Sequence, residues 1–168
     1  MTVRVNSYRF TDIVTTRLVK AWIKLEPQRN IPWKALDKPL SECNVALIST
    51  GGIALKSDRP FDQDGERRNP WWGDPSFRVI PASAETDDIQ VWHMHIDPAL
   101  AGQDMNCLLP IDRLRELAAA GFVGHMAASH YSFMGYLLDP EELLQKSIPA
   151  IIENLQSEQV DVVALVPA

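Results

Sequence analysis

Asn44-Val45-Ala46-Leu47-Ile48-Ser49-Thr50-Gly51-Gly52 carries four consecutive apolar residues straight into two hydroxyls and two glycines. Unbroken apolarity, as opposed to alternation, is what a strand needs when helices cover both faces of a parallel sheet. Ser49, Thr50, Gly51 and Gly52 then fall at the carboxyl end of that strand, and in open α/β sheets ligands bind in the crevice outside those ends. The glycines permit positive φ and close backbone approach, which suits a loop whose N–H groups face a ligand. An ordinary strand-to-loop turn would use the same residues.

Outward from this stretch the chain reads as follows. Phe10, Ile13, Val14, Leu18, Ala21, Trp22 and Leu25 recur at three- and four-residue steps, predicting an amphipathic helix closed by Glu26-Pro27. Gln28 to Leu40, with prolines at 32 and 39, reads as an extended connector. Lys56 to Pro81 has no period, and Trp71, Trp72 and Phe77 argue against disorder there, so it is expected to fold as a lid or partner-binding loop, or as a plain surface loop with an aromatic anchor. Gln90 to Asp97 alternates and predicts a strand with Val91, His93 and His95 on one face and Trp92, Met94 and Ile96 on the other. A polar turn with Asp104, Asn106 and Cys107 precedes a short helix from Ile111 to Ala120, with Leu114, Leu117 and Ala118 inward and Gly121 as its stop. Phe122 to Gly135 is ambiguous between strand and loop. Asp139-Pro140-Glu141-Glu142 is a helix start, and Pro149 should kink the helix it opens. Val160 to Val166 predicts a second central parallel strand, reached by a right-handed crossover. The pattern gives one α/β domain over 1–168: a helix and connector over 1–40, then a sheet core over 41–168 with its long loop at 56–81. The expected architecture is three-layered, a mostly parallel sheet flanked by helices in the Rossmann-like or flavodoxin-like manner, incomplete at the C-terminus.

The 168 residues, 46% hydrophobic and 23% charged, suffice for a sizeable core without disulfides. A net charge of -6 disfavours a nucleic-acid partner, because phosphate backbones demand a positive face. No apolar run reaches the length of about 18 that a membrane span requires, and the first residues lack a signal-peptide core, so a cytoplasmic protein is expected. Cys43 and Cys107 form neither a disulfide framework nor a C-x-x-C pair.

For chemistry, His93 and His95 are spaced to hold a metal from one strand face, with Asp97 and Asp104 as further ligands, or they line a polar cleft or sit satisfied in the core. Cys107 is either a nucleophile or a small buried hydrophobe. His130 and Tyr131 add polar groups in an apolar setting. Nucleotide-binding glycine fingerprints and the G-x-S-x-G elbow are absent.

Several segments in one order, V-A-L-I-S-T-G-G-I-A-L-K, P-F-D, G-D-P-S-F-R-V-I-P, H-M-H-I-D, D-M-N-C-L-L-P-I-D-R-L-R-E-L and A-A-S-H-Y-S-F-M-G-Y, resemble the B subunits of the glycine, sarcosine, betaine and D-proline reductases over about Pro32 to Ala168. The resemblance implies reductive cleavage of a carbon–nitrogen bond of a small-molecule substrate, with a disulfide as acceptor in the formal reaction. It also implies a pyruvoyl-bearing partner subunit and a thiol or thioredoxin-type reductant, while homo-oligomerisation is compatible with it. Its reactive residue, a selenocysteine or cysteine, is expected immediately after a terminal strand, and D-V-V-A-L-V-P-A matches that strand up to Ala168. The expectation is that the reading frame closes at a UGA codon read as selenocysteine, or that the chain is cut there. No cofactor is expected within these 168 residues. Cys107 is the one substitute for the reactive residue, and Ser49, Thr50, Gly51, Gly52, His93, His95, Asp104, Asn106, His130 and Tyr131 are the expected substrate-binding residues. A non-catalytic binding or assembly subunit, and a metal-dependent hydrolase or lyase built on His93 and His95, are the alternatives.

Overall fold

The structure, a computed structural model, describes residues 12–25, 30, 32, 34–69, 72–93 and 96–168. The chain divides into two compact units, Met1–Ala35 and Leu36–Ala168. In the first, helix α1 spans Ile13–Leu25. Asp12 caps it, its carboxylate accepting from the amides of Val14 and Thr15 and from the Thr15 hydroxyl. Phe10, Glu26 and Pro27, the expected ends of that helix, lie outside the described residues.

The second unit contains, in order, β1 (Asn44–Ser49), β2 (Ile53–Leu55), α2 (Gln63–Arg68), β3 (Phe77–Pro81), β4 (Ile89–Val91), α3 (Pro98–Ala101), α4 (Ile111–Ala119), β5 (His125–Met126), β6 (Ser129–Phe133), α5 (Ile148–Ser157) and β7 (Val162–Val166). Strand β1 is the axis of the main sheet: β5 and β6 run parallel along one of its edges, one after the other, and β7 runs parallel along the other. Strand β3 pairs antiparallel with β6, so the sheet is mixed. A separate antiparallel pair joins β2 to β4.

Alternation along β1 sends its side chains to opposite sides of the sheet. Val45 and Leu47 join a core with Met105, Leu109, Ile111 and Leu114, on the side of α4. Ala46 and Ile48 join another with Tyr131, Ile151 and Leu155, on the side of α5. Both faces of β1 are therefore covered, which is why its sequence is unbroken in its apolarity. Each fully buried side chain such as Ile151 contributes on the order of 1.5–3 kcal/mol.

Between β5 and β6 the register against β1 slips by two residues, from Asn44↔His125 to Ile48↔Tyr131. At that bulge the Leu47 amide donates to Nδ1 of the buried His130 ring, 3.1 Å away. The imidazole stands where a strand carbonyl would otherwise accept.

Several expectations need correction. Strand β7 is not central: it pairs with β1 alone among the described residues, and Leu165 is 73% exposed. Leu117 points outward from α4. The alternation of Gln90 to Asp97 does not make one strand, because β4 stops at Val91, where its three-residue partner β2 ends. Residues 56–81 hold α2 and all of β3. Arg78 ties this segment together, donating to the carbonyls of Arg59, Pro60 and Phe77 and to the Ser76 hydroxyl, with its guanidinium 4.1 Å from the centre of the Phe61 ring. Burial lowers the Arg78 pKa.

Pro149 falls in the first turn of α5, just after a π-helical turn at Leu143–Ser147. The widened turn accommodates the missing Pro149 N–H, and the Ser147 hydroxyl donates to the Pro75 carbonyl at 2.6 Å.

Candidate functional site at the carboxyl ends of the strands

The carboxyl ends of β1, β6 and β7 meet around Thr50. Ser49, fully buried, donates to the Leu108 carbonyl at 2.7 Å and accepts from the Gly51 amide at 3.0 Å. The Thr50 amide donates to the Val166 carbonyl, and the Gly52 amide to the Phe133 carbonyl. The amides of Thr50 and Gly52 thus join the strand ends to one another, and that of Gly51 turns back onto Ser49. What this rim offers outward is the Thr50 hydroxyl, which accepts from the Ala168 amide at 2.8 Å.

The glycines are required by proximity. Gly52 has φ +60°, and a Cβ there would lie 2.6 Å from the Met134 sulfur and 3.2 Å from the His93 backbone nitrogen. A Cβ on Gly135 would lie 2.9 Å from the Thr50 carbonyl oxygen and 3.1 Å from its hydroxyl. Met134 and Gly135 belong to this rim although sequence reading left them out; the signal was the glycine that follows Phe133 and Met134 at the end of β6.

The other candidates divide. His93, buried, abuts Gly52. Cys107 is free and exposed, next to the Leu108 whose carbonyl Ser49 holds. Asn106 links its own turn to α4: its Nδ2 donates to Asp104 and Asp112, and its Oδ1 accepts from the Asp112 amide. Those bonds hold the Asp104 and Asp112 carboxyls below their usual pKa range. His130 lies inside the sheet at the level of Leu47. Since Nδ1 accepts there, the neutral ring carries its proton on Nε2, a buried atom without a partner among the described residues, and burial depresses the pKa to about 4. Tyr131 packs under α5 against Phe77, and among the described residues its hydroxyl closes no hydrogen bond of ordinary geometry although Ser129 and Asn154 are near; burial raises its pKa. His95 lies outside the described residues, as do Met94 and Trp71. Among the described residues no group of three or more His, Cys, Asp or Glu side chains could hold a metal ion.

A hollow of about 730 Å³ opens at the opposite, amino ends of the strands, lined by Lys38, Asn44, His125, Glu158 and Asp161. Lys38 and Asp161 form an ion pair at 2.7 Å across it, which raises the lysine pKa and lowers that of the aspartate. It lies at the wrong end of the sheet for the strand-end chemistry.

The family described as glycine/sarcosine/betaine reductase selenoprotein B matches residues 15–168. The chain belongs to this family. Among curated relatives, the D-proline reductase subunit gamma of Acetoanaerobium sticklandii is 35% identical over 133 residues, which are 79% of this chain and 52% of that one. The glycine reductase complex component B subunit gamma of Carboxydothermus hydrogenoformans is 29% identical, over 62% of this chain and 23% of the relative. The betaine reductase complex component B subunit beta of Peptoclostridium acidaminophilum is 31% identical, over 58% and 22%. The chain thus spans from about half to less than a quarter of the length of these relatives. No solved structure matches it significantly. Among the described residues no helix is long and apolar enough to cross a membrane.

Proposed function

We propose that this chain contributes the strand-end platform of a thiol- or selenol-dependent reductase that cleaves a carbon–nitrogen bond in a small amino-acid substrate, together with a pyruvoyl-bearing partner subunit. The observation that carries the reading is the seating of Ala168: β7 pairs in parallel with β1 through Ser49↔Val166, and the Ala168 amide donates to the Thr50 hydroxyl. A residue placed after Ala168 emerges beside Thr50, at the rim where the fold gathers Gly51, Gly135 and His93. A selenol or low-pKa thiol at that position supplies a nucleophile ionised near neutral pH.

Residues of this chain would then position the chemistry. Thr50 fixes the backbone that presents the reactive side chain, Gly135 keeps a side chain away from the Thr50 hydroxyl, and Ser49 secures the Cys107–Leu108 turn on its flank. Cleavage consumes two electrons and two protons; a dithiol or selenol–thiol pair releases both on closing its S–S or Se–S bond, and a thioredoxin-type reductant reopens it.

The nucleotide sequence beyond codon 168 tests this. An in-frame UGA followed by a continuation that carries a proline and a second cysteine supports it, as does selenium in the native full-length product. A stop followed by an unrelated gene overturns it.

A further inference from the structure

Two adjoining hollows, of about 450 and 560 Å³, share the side chains of Gln63, Arg67 and Trp92. Their volumes lie within the roughly 300–1,000 Å³ of small-molecule sites. We propose that this groove, between α2 and the Trp92-His93 segment, binds a small zwitterion, with its carboxylate on the Arg67 guanidinium and its cationic nitrogen against the Trp92 ring and Asp64.

The groove is built at both ends. Trp92 packs on Ala54, Phe61 and Met134, its amide donates to the Gly52 carbonyl at 2.8 Å, and its own carbonyl accepts from Gln63 Nε2. The indole is thereby held in place while remaining half-exposed along the groove. Arg67 stands on α2 opposite it, bonded among the described residues to the Asp64 carboxylate at 3.0 Å and weakly to the side-chain Oε1 of Gln63 at 3.4 Å. That ion pair is open to water, its side chains 59% and 78% exposed, and such pairs contribute little, so a ligand carboxylate displaces it readily. A guanidinium offers a carboxylate two parallel N–H donors, and an indole face attracts a cationic nitrogen. His93, which lines the second hollow and abuts Gly52, ends the groove at the strand rim.

The groove gives the proposed reductase a place to hold its substrate and rests on that reading only for what the ligand is used for. The test titrates the intact protein with glycine, betaine and D-proline, and with glycinamide as a probe lacking the carboxylate, following the Trp92 indole N–H resonance. Saturable shifts are expected for the three zwitterions. Glycinamide and the Arg67→Gln variant should each lose about tenfold or more in affinity, Arg67→Lys should lose less, and Arg113→Gln, on α4, should bind as the wild type does. Absence of saturable binding, equal binding by Arg67→Gln, or equal affinity for glycinamide overturns the groove. Arg67-dependent binding in a protein whose gene has no continuation past codon 168 upholds the groove and overturns the reductase reading; reductase activity with Arg67-independent binding does the reverse.

Discussion

Replacing Ser49 with alanine should loosen the strand-end platform more than any other loss of a single oxygen atom considered for this fold. Ser49 is fully buried, and its hydroxyl makes two bonds, donating to Leu108 and accepting from the Gly51 amide. Two such bonds contribute about 2 kcal/mol net, and leaving the Leu108 carbonyl and Gly51 amide buried without partners brings the loss to about 2–4 kcal/mol. Ser132 is the internal reference: equally buried, it accepts one bond, from the Ile53 amide at 2.8 Å, so Ser132→Ala should lose about 1–2 kcal/mol. Urea unfolding of both variants measures the difference, with an unchanged m-value certifying that the midpoint reports stability. Amide exchange at Gly51 should quicken in Ser49→Ala and stay as in wild type in Ser132→Ala. A Ser49→Ala loss below about 1 kcal/mol, or one no larger than that of Ser132→Ala, refutes the two-bond account.

Gly52 and Gly121 both have positive φ, but a Cβ on Gly52 meets the Met134 sulfur at 2.6 Å whereas one on Gly121 meets nothing within 4 Å. Gly121→Ala should therefore lose only the backbone term of about 1–2 kcal/mol, and Gly52→Ala roughly 1–3 kcal/mol more from overpacking; equal thermal-unfolding losses would contradict this. His130 gives a pH dependence whose sign follows from its depressed pKa. The unfolded chain takes up the proton near pH 6.5 and the folded chain only near 4, so stability is full above about pH 6.5 and falls as the pH drops toward 4. The depression corresponds to at most about 3–4 kcal/mol, and urea midpoints from pH 7 to pH 4 should drop less steeply in His130→Gln than in wild type.

How much of this was legible in the sequence depends on whether a feature is local. The run Val45 to Ile48 announced a strand covered on both faces, and Ser49 to Gly52 announced its exit, because both signals lie within one stretch of chain. The edge position of β7 was not legible: V-V-A-L-V is equally apolar with one neighbour or two. Strand β3 is five residues ending in proline, and its antiparallel partner β6 is about fifty residues away, so nothing nearby marks it. Strand β4 stops for a similar reason, its length being set by β2, which lies far off in sequence. At the site, the sequence placed the glycines correctly but could not show that the neighbouring amides are engaged, since their acceptors are Phe133 and Val166. His130 was expected to bind substrate because nothing in S-H-Y-S reveals that its ring completes the bond of an amide 83 residues earlier. Trp92 and Arg67 come together only through folding, so neither stretch by itself announced the groove.

The π-turn before α5 makes that helix intolerant of small changes in length. Leu143 and Ser147, within the turn, and Ile151 and Leu155, beyond it, are all buried. One added residue is what distinguishes such a turn from α-helix, and each helical residue advances the face by about 100°. Adding a residue between Leu144 and Lys146, where the turn already holds one extra, would swing Leu143 by about 100° off the face that Ser147, Ile151 and Leu155 share. Substitutions on the exposed side of this turn, at Leu144 or Gln145, leave the phase intact. The gene can thus drift in letters here far more freely than in count.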